Sequence, residues 1–286
     1  MDVMATFLSD TGTLVFGPIV HCVARMMRKS WVLREFGGSF DLTYSRLPNW
    51  KKALMRRTVL SADLLLFQTH ELVEYFRDVV PGNRIDWHSN FRDLEGVDRS
   101  HQSSECQRFV FLGNVKPSKG ILEIMEAAAT IDRDIEVDVF GRLQQGITER
   151  TFDNAHNVEY KGLLRPEEII PTLRRYDALL LPTYYEGEGY PGVILEAYSV
   201  GIPVIATRWR AIPEIVDENT GLLIEPKDSQ ALAQAMTKLI DDGELYQRLC
   251  DGAWAKRQDF SLSYWADQFV DACAHIAKKE HDVTPR

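Results

Sequence analysis

The sequence predicts an α/β protein built on doubly wound parallel sheets. Three observations point there. Short apolar runs alternate with longer amphipathic stretches over most of the chain, the connections between them are short, and the 286 residues with 45% hydrophobic content are enough for two modest domains. Strand and helix alternating in this way need a parallel sheet covered on both faces.

From residue 108 onward the pattern is clearest. Runs at 108–112, 135–140, 177–181, 202–206 and 221–224 read as strands, and 119–130, 166–176, 191–200 and 229–240 carry apolar residues at helical three and four spacing. The first hundred residues repeat this grammar more faintly: 30–34 and 63–68 read as strands, and Thr69 is placed to cap a helix over 71–79. Residues 93–107, polar and without periodicity, read as a linker. Two further helices, 244–256 and 261–277, close the chain, and the polar residues 278–286 are expected to fray. The expected division is a shortened first domain at 1–98, a second domain at 105–260 and a closing helix within 261–286.

Charge and cysteine usage exclude some classes. Lys and Arg number 33 against 42 Asp and Glu, a net charge of −9, so nucleic acid is not an expected partner. Cys22, Cys106, Cys250 and Cys273 form no CxxC pair and read as reduced thiols of a cytoplasmic protein. The apolar stretch 14–24 is too short to cross ~30 Å of hydrocarbon and is expected in a core. Arg25, Arg28 and Lys29 behind it leave peripheral contact with the inner face of an anionic membrane open.

In an open parallel sheet, ligands sit beyond the carboxyl ends of the strands. The segments there are 113–120, the pair Gly141-Arg142, and 182–191. Ser118 is expected to cap a helix starting at Lys119, and a lysine at that positive dipole end is a candidate for holding phosphate; the bland alternative is a solvated lysine. Lys116 and Arg142 add charge to the same edge, Lys116 with the alternative of being a solvated neighbour. In the third segment Gly187 and Gly189 permit close backbone approach to a ligand, and Glu188 and Glu196 are carboxylates able to accept hydrogen bonds from sugar or ribose hydroxyls. Glu186 reads as a solvated loop acid. Asp132 and Asp134 precede a strand and read as a solvated turn, so no metal is expected. His88 is placed to line a cleft, although a lone histidine is more often structural.

The run 188–197, followed by 201–207 and 213–216, resembles the retaining family 4 glycosyltransferases of the GT-B fold, whose signature is two glutamates separated by seven residues. The resemblance takes in 109–120 and 221–226 and covers about 105–260. It implies a GT-B-like chain with two Rossmann-like domains, the amino-terminal one incomplete, moving a sugar from a nucleotide sugar to a hydroxyl of a glycan or lipid-linked acceptor. By the same resemblance Glu188 contacts the donor sugar and, with Lys119 at the diphosphate, carries catalysis. Glu196 binds the ribose hydroxyls, while Gly189, Tyr190 and Gly192 approach the sugar and diphosphate, and Gly113 and Asn114 border the donor. The family's arginine after the first glycine is Asn114 here, which leaves Arg142 or Lys116 to compensate. The family needs no metal or other cofactor, and its retention is attributed to same-face attack.

The family's first domain opens with a strand and a glycine-rich loop that are not legible here; residues 36–40 resemble a later cleft loop and 63–69 its last strand. A fragment, a shortened enzyme and a remnant remain open, and with them an oligomer or partner subunit. The alternative function is a non-catalytic subunit that binds nucleotide sugar. A dinucleotide oxidoreductase is set aside for want of GxGxxG after a strand.

Overall fold

The computed structural model describes residues 3–99 and 105–279. They form two compact units. The first comprises the described part of 1–90, the short segment Glu186–Tyr190 and the chain from Leu262, and the second comprises Phe91–Tyr185 and Pro191–Ser261.

The first unit holds a four-stranded parallel sheet, β1 (Val3–Ser9), β2 (Ser30–Phe36), β3 (Leu64–Phe67) and β4 (Ile85–Trp87), paired in chain order. Two of these strands are corrections to the sequence reading. β1 was not legible because it is an edge strand whose half-buried residues give no clean alternation, and β4 has only three residues. One face of the sheet packs an aromatic core in which Phe67 and Phe76 stack at 4.7 Å and Phe40 lies 5.1 Å from Phe76. The other face is covered by the helix Leu262–Lys279, whose Phe269 and Ile276 meet Val32, Leu64 and Leu66. Thr69 caps the helix His70–Val79 as expected, accepting from Leu72 N at 3.2 Å.

The apolar stretch 14–24 departs from its expected burial. It folds into the helices Asp10–Val15 and Gly17–Met26, which bury the small residues Thr13, Gly17 and Ala24 and leave Val15, Phe16, Ile19 and Met26 exposed. Gly17 lets its helix approach Val59 closely, while Leu14 and Val20 stay half-buried against the core.

β2 also carries a buried acid. Glu35 is 1% exposed. Burial above all, then the hydrogen bond and charge of Asp10, push its carboxyl well above the ordinary range, with Arg34 pulling the other way. A group that keeps its proton in the fold and loses it when unfolded costs stability as pH rises from about 4.5 toward the raised folded value. Glu35→Gln is therefore expected to raise Tm at pH 7 to 8, by about 2–4 °C for each kcal/mol recovered, and to leave it unchanged below about pH 4. Equal Tm values at both pH would show that the carboxyl is ionised in the fold.

The second unit is a six-stranded parallel sheet of β5 (Arg108–Leu112), β6 (Glu136–Phe140), β7 (Val158–Gly162), β8 (Ala178–Leu181), β9 (Val204–Thr207) and β10 (Gly221–Ile224), in the order β10-β9-β8-β5-β6-β7. Counted within this unit, the order is 3-2-1-4-5-6, so the winding reverses between β5 and β8, where such folds bind nucleotides. The two sheets make the chain α/β, with the smaller sheet in the amino-terminal unit. β7 was passed over in the sequence because it is an edge strand with two charged residues among five. The helix predicted over 166–176 spans Pro166–Leu173, with Pro171 near its end. At the amino-terminal ends of the strands, buried Asp177 accepts Gln107 N at 3.0 Å, Arg108 N at 2.8 Å and Arg108 Nη2 at 2.9 Å, fixing where β5 begins.

Candidate functional site

In the second unit the loops leaving β5 and β8 meet. Tyr184 N donates to Ser118 O at 2.9 Å, and Gly120, in a left-handed conformation with φ 80°, lies so close to Pro182 that a Cβ would overlap its carbonyl. Ser118 does not cap the following helix, which corrects the sequence reading. Pro117–Lys119 form a 3-10 turn, and the helix Ile121–Thr130 starts after Gly120. Lys119 thus stands on the turn ahead of the helix.

The contact of these loops gathers two lysines around one ring. Lys116 Nζ lies 3.5 Å and Lys119 Nζ 5.3 Å from the centroid of Tyr185. Lys116 is 7% exposed, so the solvated alternative for it fails, and Lys119 is half-buried. Trp209 Nε1 donates to Tyr185 O at 2.8 Å and steadies the main chain there.

On the neighbouring side, Gly113 N donates to Phe140 O and Val115 N to Arg142 O at 2.9 Å, joining the loops after β5 and β6. Asn114 is exposed and accepts from Gln144 Nε2 at 3.3 Å. The Arg142 side chain is exposed too.

The helix Gly192–Val200 begins behind Pro191, which has no side chain able to cap it. Glu196 sits one turn in. Its Oε1 accepts from Arg92 Nη2 at 2.9 Å and Nε at 3.1 Å. Burial raises the pKa of Glu196 and outweighs the opposing pull of Arg92.

The segment Glu186–Tyr190 clusters with the first unit, where several residues pin it. Gly38 lies against the Glu188–Gly189 peptide so closely that a Cβ would overlap backbone atoms, and a Cβ on Gly189 would strike Gln68 Nε2. Asn90 Nδ2 donates to Tyr190 O at 3.0 Å. Buried Arg34 in turn holds the turn that presents Asn90, donating to Ser89 O at 2.7 Å and to Asn90 Oδ1 at 3.2 Å. Glu188 is 6% exposed. Glu186 is exposed and pairs with Arg46 at 3.1 Å, a surface contact of small worth.

His88 belongs to this framework. Its Nδ1 accepts from Arg34 Nε at 2.9 Å and its Nε2 donates to Trp265 O at 3.2 Å. Burial and the Arg34 charge press its pKa down to about 4, so the ring is neutral at pH 7 and serves as a brace. No group of three or more His, Cys, Asp or Glu among the described residues is arranged to hold a metal ion.

Lys119, Lys116 and Tyr185 therefore form one group, Glu196, Gly192 and Arg92 a second, Gly113, Asn114 and Arg142 a third, and Glu188, Gly189 and Tyr190 a fourth within the first unit. Sequence reasoning missed Arg92, Tyr185 and the Arg34–Asn90 brace. Arg92 borders an irregular segment, and no motif singles it out.

Comparison with known proteins shows what this arrangement is similar to. The family described as "Glycosyl transferases group 1" matches residues 106–242. A D-inositol 3-phosphate glycosyltransferase of Corynebacterium efficiens is 27% identical over 257 residues, which cover 79% of this chain and 60% of that protein. The chain spans about three fifths of the length of the curated relatives it matches, between 57% and 60% for three corynebacterial proteins of that name. Among solved structures, sucrose-phosphate synthase from Thermosynechococcus elongatus superposes with a TM-score of 0.78 at 17% identity, over 97% of this chain and 74% of that one. Anabaena HepE, solved in complex with UDP-glucose, gives 0.74 at 18% identity over 94% of this chain and 78% of that one. At these identities the structures attest the fold, and residues 106–242 are similar in sequence to the family described as glycosyl transferases group 1.

Proposed function

We propose that this chain is a retaining glycosyltransferase that moves a sugar from a nucleotide-sugar donor to an acceptor hydroxyl. The observation that carries the reading is the pair of lysines held on Tyr185 at the point where the sheet's winding reverses. In the reaction the bond from the anomeric carbon to the phosphate oxygen breaks and its electrons stay with the departing diphosphate, leaving positive charge on the ring. Lys119 and the first amides of the helix Gly192–Val200 stabilise the diphosphate, Glu196 holds the ribose and Glu188 positions the sugar. The acceptor oxygen bonds to the anomeric carbon on the face the diphosphate leaves, and its proton passes to the departing phosphate oxygen. The chemistry proceeds without a metal, so EDTA is expected to leave the rate unchanged.

A lipid-linked acceptor at an anionic membrane surface fits the first unit. Between residues 11 and 58 eight basic residues lie outside the core, while Arg34 and both acidic residues, Glu35 and Asp41, are buried, in a chain of net charge −9. Phe16, Ile19, Met26, Trp50 and Leu54 are exposed in the same stretch. No described helix is long and apolar enough to cross a membrane. Co-sedimentation with phosphatidylglycerol vesicles but not phosphatidylcholine vesicles, weakened by salt, is the expected result; no preference between them would return the acceptor to a glycan in solution.

The functional reading is tested by thermal shift against a panel of nucleoside diphosphates and nucleotide sugars. A ligand at about 100 times its dissociation constant adds ~2.7 kcal/mol of stability. No shift with any of them would remove the reading.

A further inference from the structure

The guanidinium expected beside the diphosphate is replaced by Asn114, and besides Lys116 and Lys119 the same unit holds a guanidinium at another position, Arg92. Arg92 is fixed at its main chain, where its N donates to Phe260 O at 2.8 Å and it bridges to Ser261. Its guanidinium is fixed as well: Nη1 donates to Phe91 O at 2.9 Å, and Nε and Nη2 both go to the single oxygen Glu196 Oε1 at 3.1 and 2.9 Å. Nη2 also lies against Gly192, so close that a Cβ on that residue would overlap it.

This places a positive charge on the first residue of the nine-residue helix Gly192–Val200, the end where the helix dipole is itself positive. The helix has no side-chain cap, and the amides of Gly192 and Val193 have no acceptor among the described residues. Guanidinium and amide hydrogens of one sign thus gather at one spot. Glu196 answers only part of that charge, through one oxygen, and leaves Oε2 to accept a hydroxyl. A guanidinium carries five donors, of which three are used by Glu196 and the Phe91 carbonyl. The remaining two suit an oxyanion, which Arg binds in planar, forked fashion.

We propose that Arg92 is a further cation of the diphosphate site, supplying from the segment after Asn90 the guanidinium that Asn114 lacks and tying the diphosphate to the carboxylate that holds the ribose. The inference rests on the donor-binding reading above. As the bond to the anomeric carbon breaks, Arg92 donates hydrogen bonds to the diphosphate oxygens that receive its electrons; no proton leaves Arg92.

The test compares uridine, guanosine and adenosine with their 5′-diphosphates by calorimetry, on the full chain and on Arg92→Ala, Arg92→Lys and Arg92→Ala/Asn114→Arg. Charge-assisted hydrogen bonds of about 1.5–3 kcal/mol correspond to a loss of roughly 10- to 100-fold. Arg92→Ala is expected to weaken the preferred diphosphate by that factor while changing its nucleoside less than about threefold. Arg92→Lys should keep part of the diphosphate affinity, and Asn114→Arg should restore much of it in the Arg92→Ala chain. Equal losses for nucleoside and diphosphate would overturn the inference, since Arg92 would then act only by orienting Glu196. If Arg92→Ala does not fold, the Arg92→Lys ratio of diphosphate to nucleoside affinity decides in the same way. Failure of the unaltered chain to bind any diphosphate removes the functional reading, and this proposal with it, before a variant is made.

Discussion

Lys119→Ala is expected to lower kcat by about 100- to 1000-fold while leaving Tm within a degree of the starting chain. The size follows from the charge it faces. In the proposed reaction negative charge grows on the diphosphate as the donor bond breaks, and a preorganised group aimed at developing charge is worth about 2.7–4 kcal/mol in such sites. Because that interaction is stronger in the transition state than in the bound donor, kcat should fall more than the donor KM rises. The small effect on stability follows from position: Lys119 is half-buried, on a turn outside the strands and helices of the sheet. Lys116→Ala is the contrasting control. Lys116 is buried against the Tyr185 ring at 3.5 Å, so its loss should lower both Tm and activity. Steady-state kinetics with a thermal melt of each variant separates the two. An unchanged kcat in Lys119→Ala would remove this lysine from the chemistry.

Gly38→Ala should abolish transfer by a different route. A Cβ at residue 38 overlaps the nitrogen and Cα of Gly189 and the carbonyl carbon of Glu188, all of them backbone atoms that cannot swing aside. The segment Glu186–Tyr190 must therefore move, and Asn90, which holds Tyr190 O, resists the movement. Overpacking of this kind costs about 1–3 kcal/mol, and a shift of 1 Å at a positioning residue costs roughly 100-fold in rate. Nucleoside diphosphate binding should survive, because Lys119, Glu196 and Arg92 belong to the second unit. Loss of turnover with retained binding of the diphosphate is the expected signature. Full turnover in Gly38→Ala would show that the position of Glu188 is not critical.

The two variants probe what the sequence made visible to different degrees. The sheet of the second unit was legible because its central strands are continuous apolar runs flanked by helices with clear three and four spacing. The glycine-rich turn after β8 announced itself through residues suited to close approach, and Gly189 does occupy a position where a Cβ would strike Gln68 and Gly38. The edge strands β1 and β7 were not legible, since half-exposed strands lose their apolar alternation. The exposed stripe of the helix Gly17–Met26 misled for a related reason: periodicity shows which residues share a face, and only packing decides which face turns inward. Arg92 and Arg34 were invisible for another. Both act on partners far away in the chain, at positions 196 and 88–90, and spacing rules reach only neighbours along a helix or strand.

The clamp at Asp177 has a bearing on how this fold accommodates new substrates. Its bonds to residues 107 and 108 secure the sheet at the amino-terminal ends of the strands, while the loops that meet a ligand leave from the opposite ends. Rigidity is thus anchored far from selectivity. Under the proposed function, replacements in 113–119 or 182–188 would re-tailor which base or sugar is accepted without loosening that anchor, so divergence of specificity on this scaffold would draw little on the reserve that keeps it folded.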